Sequence, residues 1–282
     1  MTLRIRDEDR ELAALVDRIR TDRGFDAGIY KPSFVKRRLA VRLRAREVET
    51  YAAYARLLAT DPREYDALLA VFAVTLTCFF RDPGAFRALT EQVLAPLVTA
   101  RTTSDRRRLR IWSAGCASGE EPYSVAIALL ELLGSGRPKW YIDIQATDID
   151  DAALSQARAA RYDEFSLRWM EPALRRRYCV RIGDVYRLAP EVVEMVHFRR
   201  RDLLRDSFPR RMDLILCRNV LIYFARAEHD ALFVRFHAAL GPGGALLLGR
   251  VEIPPRAARS LFTALDPQEH LYIKLPAQRD GE

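Results

Sequence analysis

The sequence predicts an α/β protein in which a small all-helical N-terminal domain precedes a Rossmann-like domain with a small β-subdomain. Apolar residues recur at helical spacing from residue 8 to about residue 90. From residue 108 onward, short apolar strands alternate with helical segments, as in a mostly parallel sheet that carries helices on both faces. The length of 282 residues fits two linked units. We therefore predict domains at 1–90 and 91–282, with the β-subdomain inserted at about 161–195.

The N-terminal domain is predicted from apolar faces and the breaks between them. The apolar residues of the first two faces are Leu12, Leu15, Val16, Ile19, Tyr51, Tyr54, Leu57 and Leu58. Pro62 is well placed to start the next helix. Asp82, Pro83 and Gly84 then punctuate the chain before a further helix at 85–97.

The second domain is predicted from strands and helices that alternate along the chain. The expected strands are 109–114, 140–147, 196–199, 212–217, 245–248 and 270–274, and the expected helices are 122–133, 150–159 and 227–240. Residues 241–244, Gly-Pro-Gly-Gly, are expected to form a turn. Residues 161–195 interrupt the alternation, and Gly183 and Asp184 predict the turn of a small hairpin there.

Composition and charge narrow the class of protein. The formal net charge of +8 favours either an acidic partner or ordinary solvated surfaces. No stretch of 18 apolar residues occurs and the N-terminus lacks the apolar core of a signal peptide. The four cysteines lie far apart, which argues against a metal site or a disulfide framework. We therefore expect a cytoplasmic protein without membrane insertion and without a metal, most simply a monomer.

A glycine-containing loop follows the first predicted strand of the second domain. Gly115 and Gly119 allow backbone to approach a ligand closely, at the strand end where open α/β sheets bind ligands. A phosphate ligand is disfavoured, because Glu120 and Glu121 would repel it and no Lys-Ser or Lys-Thr pair follows the loop. Acidic residues here suit a cationic ligand, such as the ammonium of a methionyl group.

Acidic residues also follow the second predicted strand. Asp148 is placed to accept hydrogen bonds from ribose hydroxyls. The alternative is that Asp148 or Asp150 merely caps the next helix. We expect ribose binding for Asp148 and capping for Asp150.

Four segments together resemble the CheR-type chemotaxis receptor methyltransferases. They are residues 77–81, 117–124, 146–150 and 213–224. Their most specific parts read Gly-Glu-Glu-Pro-Tyr-Ser and Cys-Arg-Asn-Val-Leu-Ile-Tyr-Phe, and the resemblance extends from about residue 10 to about residue 275. It implies a class I methyltransferase domain that uses S-adenosylmethionine, releasing S-adenosylhomocysteine. It also implies methyl transfer to glutamate side chains in the cytoplasmic methylation helices of bacterial chemoreceptors.

The resemblance also implies roles for individual residues. Glu120 would meet the methionyl ammonium and Asp148 the ribose, while Asp202 and Leu203 would flank the adenine. The other residues implied near the cofactor are Thr75, Thr77, Arg81, Gly115, Arg218, Asn219 and Val220. Catalytic roles at the methyl-transfer centre are implied for Arg81 and Tyr223.

The chain departs from the family pattern at several positions. Thr75 and Asp202 each stand where asparagine is frequent. Arg250 and Val251 stand where the family commonly has histidine and serine. These departures leave open a changed substrate, or a cofactor-binding adaptor without turnover.

The expected chemistry is an in-line displacement at a sulfonium methyl group. A glutamate carboxylate is already ionised at pH 7, so no general base is needed. Arg81 can hold a carboxylate bidentately, either that of the substrate or that of the cofactor. Tyr223 can donate a hydrogen bond, and the alternative is a structural tyrosine. A nucleic-acid methyltransferase is disfavoured, because 217–220 replaces the Asn/Asp-Pro-Pro-Tyr/Phe segment of amino-methylating enzymes.

A basic stripe is predicted on one N-terminal helix. Arg38, Arg42 and Arg46 fall at i, i+4 and i+8 of that helix, so they lie on one face. We predict that this stripe docks the acidic receptor helix. The alternative is an ordinary solvated face.

Overall fold

The chain forms two compact units. The computed structural model describes residues 2–23, 25, 27–72, 77–102, 107–134 and 140–276. The first unit comprises Met1–Val74 and Tyr223–Glu228, and the second comprises Thr75–Ile222 and His229–Glu282. The division falls earlier in the chain than the boundary predicted at residue 90.

The segment that begins at Thr77 belongs to the second unit because its backbone is bonded there. Phe79 N donates to Ser166 O and Phe80 N donates to Ser124 Oγ, both at 2.9 Å. The Phe79 ring is fully buried and meets Tyr162 edge-on, with the ring centroids 4.9 Å apart.

Four helices build the first unit. They are α1 (Thr2–Arg23), α2 (Pro32–Ala45), α3 (Tyr51–Thr60) and α4 (Pro62–Phe72). Thr50 caps α3 by accepting a hydrogen bond from Ala53 N at 3.1 Å. Pro62 opens α4, where its missing N–H costs no hydrogen bond. The helices share one core, which includes the predicted residues Leu12, Leu15, Ile19, Tyr51, Tyr54 and Leu58.

A seven-stranded sheet forms the centre of the second unit. Its strands are β1 (Arg108–Ala114), β2 (Tyr141–Asp148), β6 (Val196–Arg200), β7 (Met212–Cys217), β8 (Leu240–Leu248), β9 (Phe262–Asp266) and β10 (Leu271–Lys274). The strand order is β6-β2-β1-β7-β8-β10-β9. The pairs from β6 to β8 are parallel, and β10 runs antiparallel to β8 and β9. This confirms the predicted mostly parallel sheet.

The second unit also contains a small sheet and several helices. The small sheet consists of β3 (Arg161–Tyr162), β4 (Cys179–Ile182) and β5 (Val185–Leu188), in the order β3-β5-β4. The helices are α5 (Pro83–Leu89), α6 (Ala95–Thr102), α7 (Glu120–Leu133), α8 (Asp151–Ala159), α9 (Pro172–Tyr178), α10 (Pro190–Val193) and α11 (Arg226–Ala239), with a π-helical turn at Thr90–Leu94. Gly183, with φ +63°, provides the tight turn between β4 and β5.

β8 differs from the prediction at its Gly-Pro-Gly-Gly sequence. We predicted a turn at 241–244, whereas β8 runs through these residues. Its pairing with β7 shifts register between Met212 and Leu214, so the glycines bulge while both flanks stay paired. A Cβ atom at Gly244 would lie 2.9 Å from Met212 O, so the bulge requires glycine there. We did not predict β9, in which only the first residue is buried.

The sheet brings several chain segments to one edge. β1 lies where the strand order reverses, between β2 and β7. The residues that follow β1, β2, β6 and β7 therefore meet at the carboxyl ends of parallel strands, where open α/β sheets bind their ligands.

Candidate cofactor site

The loop after β1 is closely packed and depends on its glycines. Gly115 has φ +79°, and a Cβ atom there would lie 2.3 Å from a methyl carbon of Val220. Gly119 has φ +94°, and a Cβ atom there would lie 2.9 Å from that of Ala157. Gly115 N and Cys116 N both donate to Thr147 O, at 2.7 and 3.0 Å. The loop is thus a backbone cradle tied to the end of β2.

Glu120 begins α7 directly after this loop. Its side chain is buried, and Ser118 Oγ donates to its Oε2 at 2.8 Å. Burial raises the pKa of Glu120 to about 7. A cation bound beside this carboxylate would favour its ionised form, as expected for a group that meets an ammonium.

Asp148 lies at the end of β2 and is bonded to the cradle. Its Oδ2 accepts from Ala117 N at 2.8 Å and its Oδ1 accepts from Asp150 N at 3.0 Å. Burial raises the pKa of Asp148. Each carboxylate oxygen can accept a further hydrogen bond, so these contacts leave capacity for a ribose hydroxyl. Asp150 caps α8 by accepting from Ala152 N at 2.9 Å, as predicted.

Asp202 and Leu203 follow β6 at the same edge. Arg201 N donates to Asp148 O at 2.8 Å, which joins this segment to the end of β2. Asp202 Oδ1 accepts from Leu204 N at 2.8 Å, and Leu203 is buried. The structure thus places the segment that carries Asp202 and Leu203 next to the end of β2.

Arg218, Asn219 and Val220 follow β7. Asn219 has φ +60°, an uncommon conformation for a side-chain-bearing residue. Val220 packs against Gly115. The three residues therefore lie beside the cradle.

Glu252 holds this segment, and sequence reasoning gave it no role. The carboxylate of Glu252 is buried and accepts from three backbone groups. Asn219 N and Gly249 N donate to Oε2 at 2.8 and 2.7 Å, and Ile222 N donates to Oε1 at 3.2 Å. A lone acid after a predicted strand carries no signal for such a role, because Asn219 and Ile222, which supply two of the three N–H groups, lie 33 and 30 positions away along the chain.

Arg81 lies within a turn that has unusual backbone angles, and Thr77 precedes this turn. Phe80 and Asp82 have φ +52° and +61°, so the residues on both sides of Arg81 adopt left-handed conformations. Such conformations often mark functional sites. Thr77 is partly buried. Thr75, also expected near the cofactor, lies outside the described residues.

Tyr223 belongs to the first unit. Its ring packs on Phe34 with centroids 4.9 Å apart, and its main-chain oxygen accepts from Lys31 N at 3.0 Å. Arg38 packs on the same Phe34 ring, and its guanidinium carbon lies 5.2 Å from the ring centre. The structure therefore places Arg38 of the basic stripe near Tyr223, a proximity that the sequence did not predict.

The other two arginines of the basic stripe are paired within the first unit. Arg42 donates from Nε and Nη2 to the two oxygens of Glu64, each at 2.8 Å, and Glu64 is buried. Arg46 lies 3.1 Å from Asp61 and 3.4 Å from Glu64. Arg42 is thus held by a buried partner, which spacing along one helix did not reveal.

The departures at Arg250 and Val251 lie on the surface beyond β8. Val251 is 74% exposed. Arg250 lines a cavity of about 280 Å³ together with Asp82, Trp169 and Arg218.

The residues at the sheet edge fit S-adenosylmethionine. The glycine cradle has no room for a Cβ atom at Gly115, and Glu120 is a buried acid whose ionisation a cation would favour. Asp148 adds acceptor capacity at the next strand, where a ribose is expected. Among the residues that the structure describes, no helix is long and apolar enough to cross a membrane.

The chain is similar to known methyltransferases over most of its length. Residues 75–268 match the SAM binding domain of CheR methyltransferase, and residues 10–72 match its all-alpha domain. A chemotaxis protein methyltransferase of Listeria innocua is 34% identical, over 83% of this chain and 86% of the relative. Chemotaxis protein methyltransferase 2 of Pseudomonas aeruginosa is 35% identical over 79% of each chain. A chemotaxis protein methyltransferase of Salmonella typhimurium is 31% identical, over 89% of this chain and 86% of the relative. The chain therefore belongs to the CheR methyltransferase family and is an S-adenosylmethionine-dependent methyltransferase.

Proposed function

We propose that this methyltransferase esterifies glutamate side chains in the cytoplasmic methylation helices of bacterial chemoreceptors. The match of residues 10–72 and 75–268 to the two CheR methyltransferase domains carries the proposal, and the buried carboxylate of Glu120 supports S-adenosylmethionine as the methyl donor. Relatives named chemotaxis protein methyltransferase align over most of the chain, which supports a receptor as substrate.

Residues at the sheet edge would hold the cofactor. Glu120 would bind the methionyl ammonium and Asp148 the ribose hydroxyls, with Asp202 and Leu203 at the adenine. Thr77, Gly115, Asn219 and Val220 would complete the binding surface, and the backbone of Arg218 would lie beside it. When bound, the cofactor supplies a sulfonium methyl group that a carboxylate oxygen can attack.

For this reaction the protein must position the two reactants, and it need not transfer a proton. Two oppositely charged groups must be brought together out of water, and the carboxylate needs no base. Well-oriented reactants can lower the barrier by about 7–11 kcal/mol. Arg81 would hold a carboxylate in a bidentate contact, and Tyr223 would donate a hydrogen bond from its hydroxyl.

Substitutions of Arg81 and Tyr223 test these roles. Arg81→Lys removes the planar fork of donors and Tyr223→Phe removes only a hydroxyl, so each should lower kcat by about tenfold or more without lowering the melting temperature. The assay measures methyl transfer from labelled S-adenosylmethionine to receptor-containing membranes. Arg87→Lys, an exposed arginine on α5, is the matched control and should retain full turnover.

The substrate is tested in the same assay. Wild-type protein should label the receptor band, and replacing the glutamates of the receptor's methylation region should abolish the label. Cofactor binding without any label would favour the adaptor alternative. Unchanged turnover in both Arg81→Lys and Tyr223→Phe would refute the catalytic roles given above.

A further inference from the structure

We propose that Arg218 is a positioning residue whose guanidinium fixes the turn that carries Arg81. This inference rests on the proposed function only through the catalytic role of Arg81. The contacts that support it all lie within the second unit.

The guanidinium of Arg218 is bonded to the turn on one side. Its side chain is 2% exposed. Nη2 donates to Arg81 O at 2.8 Å and to Asp82 Oδ2 at 2.7 Å. One nitrogen atom thus holds the main chain of Arg81 and the side chain of its neighbour.

The same guanidinium is anchored to the sheet and α7 on its other side. Nη1 lies 3.4 Å from Glu121 Oε2, and Ser113 Oγ in β1 donates to Glu121 Oε1 at 2.7 Å. Burial raises the pKa of Glu121, and the neighbouring Arg218 opposes this shift. Arg218 itself extends from the end of β7, so the network joins β1, α7 and β7 to the turn.

The turn needs such support because its backbone is unfavourable in isolation. Phe80 and Asp82 both have positive φ values, which side-chain-bearing residues rarely adopt. Ser124 Oγ accepts from Phe80 N at 2.9 Å on one side of Arg81. On the other side, Ala85 N donates to Asp82 O at 2.9 Å, and Arg218 holds Arg81 O and the Asp82 side chain. Loss of the Arg218 contacts should therefore loosen the Arg81–Asp82 end of the turn.

The geometry requires arginine rather than any cation. The acceptors Arg81 O, Asp82 Oδ2 and Glu121 Oε2 are reached by two different nitrogens of one planar group. A lysine ammonium carries its three N–H donors on one nitrogen atom, so it cannot reproduce contacts that are made from two nitrogens. Arg218→Lys therefore retains the charge and removes the geometry.

A double-mutant cycle with Arg81 tests the inference. Arg218→Lys should lower kcat about 10- to 100-fold, as expected when a catalytic group is displaced. In an Arg81→Ala background the same substitution should cost less than about twofold, because the group it positions is already absent. Equal costs in the two backgrounds would overturn the inference.

A second measurement does not depend on turnover. Amide hydrogen exchange of the peptide covering residues 79–86 should become faster in Arg218→Lys, while exchange of α8, which makes no contact in this network, stays unchanged. Asp82→Asn removes one acceptor at a partly exposed position and should show the same effects to a smaller extent. If Arg218→Lys does not fold, the exchange and turnover of Asp82→Asn provide the test. Unchanged exchange in the variants would count against the proposal.

A matched control separates positioning from general stability. Arg101 and Asp213 form another ion pair in the second unit, with a separation of 2.8 Å between Arg101 Nη1 and Asp213 Oδ2. Arg101→Lys should lower the melting temperature without changing kcat or exchange at 79–86. If Arg81→Ala alone keeps full turnover, both the role of Arg81 and this inference fail. If Arg81→Ala loses turnover and Arg218→Lys costs the same in both backgrounds, only the inference fails.

Discussion

Glu120 is the residue on which the proposed cofactor site most depends. It is a buried carboxylate at the start of α7, and burial raises its pKa to about 7. A glutamate in the unfolded chain has an ordinary pKa of about 4.5. The unliganded protein should therefore lose stability as pH rises between these two values, because the unfolded state ionises first.

Cofactor binding should show the opposite pH dependence at this residue. A bound ammonium favours ionised Glu120, so affinity should rise with pH up to about 7 and binding should release a proton below that pH. Titration calorimetry at several pH values, in buffers of different ionisation enthalpy, measures both effects. Glu120→Gln should weaken binding and flatten this part of the pH profile. An identical profile in wild type and Glu120→Gln would exclude Glu120 as the titrating group.

The sequence suggested candidate site residues but did not reveal the long-range contacts that hold them, and the reason is physical. Local pattern singled out Glu120 and Asp148, because both stand at strand ends on the edge where open α/β sheets bind ligands. Glu252 bonds the backbone of Asn219, and Arg218 bonds Asp82, which lies 136 positions away along the chain. Such partners are set by packing of distant segments, which a single sequence does not encode in its local pattern.

At the scale of elements, α2 shows both the strength and the limit of sequence spacing. The spacing correctly placed Arg38 and Arg42 on a helix, since α2 covers Pro32–Ala45, whereas Arg46 lies just beyond the end of that helix. It did not show that α4 brings Glu64 against Arg42. Removing one partner of a buried ion pair costs about 3–5 kcal/mol, so Arg42→Glu should destabilise the first unit.

Arg38 therefore gives the cleaner test of receptor docking. It lies by Phe34, its Nε has no hydrogen-bond partner among the described residues, and burial lowers its pKa. An exposed ion pair is worth up to about 1 kcal/mol, so Arg38→Glu should weaken receptor binding roughly fivefold at low salt.

The docking measurement needs a salt series and a control. Binding of a receptor fragment should weaken as ionic strength rises, and the difference between wild type and Arg38→Glu should shrink. Arg56→Glu changes an exposed arginine on α3 by the same charge and should bind like wild type. Salt-independent binding, or an equal loss in Arg56→Glu, would contradict docking through the stripe.

At the scale of the whole molecule, the sequence predicted the α/β class because strands and helices alternate with clear periods. The structure confirms the parallel core from β6 to β8. The structure differs from the prediction at β8, which contains a glycine bulge, and at β9, which is an exposed edge strand. Neither segment shows the alternation of apolar and polar residues that predicts a strand. The net charge of +8 fits an acidic receptor helix, although charge alone names no partner.

The chemical linkage of the transferred methyl group tests the central claim most directly. The methyltransferase is incubated with methyl-labelled S-adenosylmethionine and chemoreceptor-containing membranes. The labelled receptor is then exposed to mild alkali, and the released volatile methanol is measured. We predict that the label on the receptor is released as methanol, because a glutamyl methyl ester hydrolyses under these conditions. Label that stays on the receptor after alkali would show methylation at nitrogen or carbon and would contradict the account.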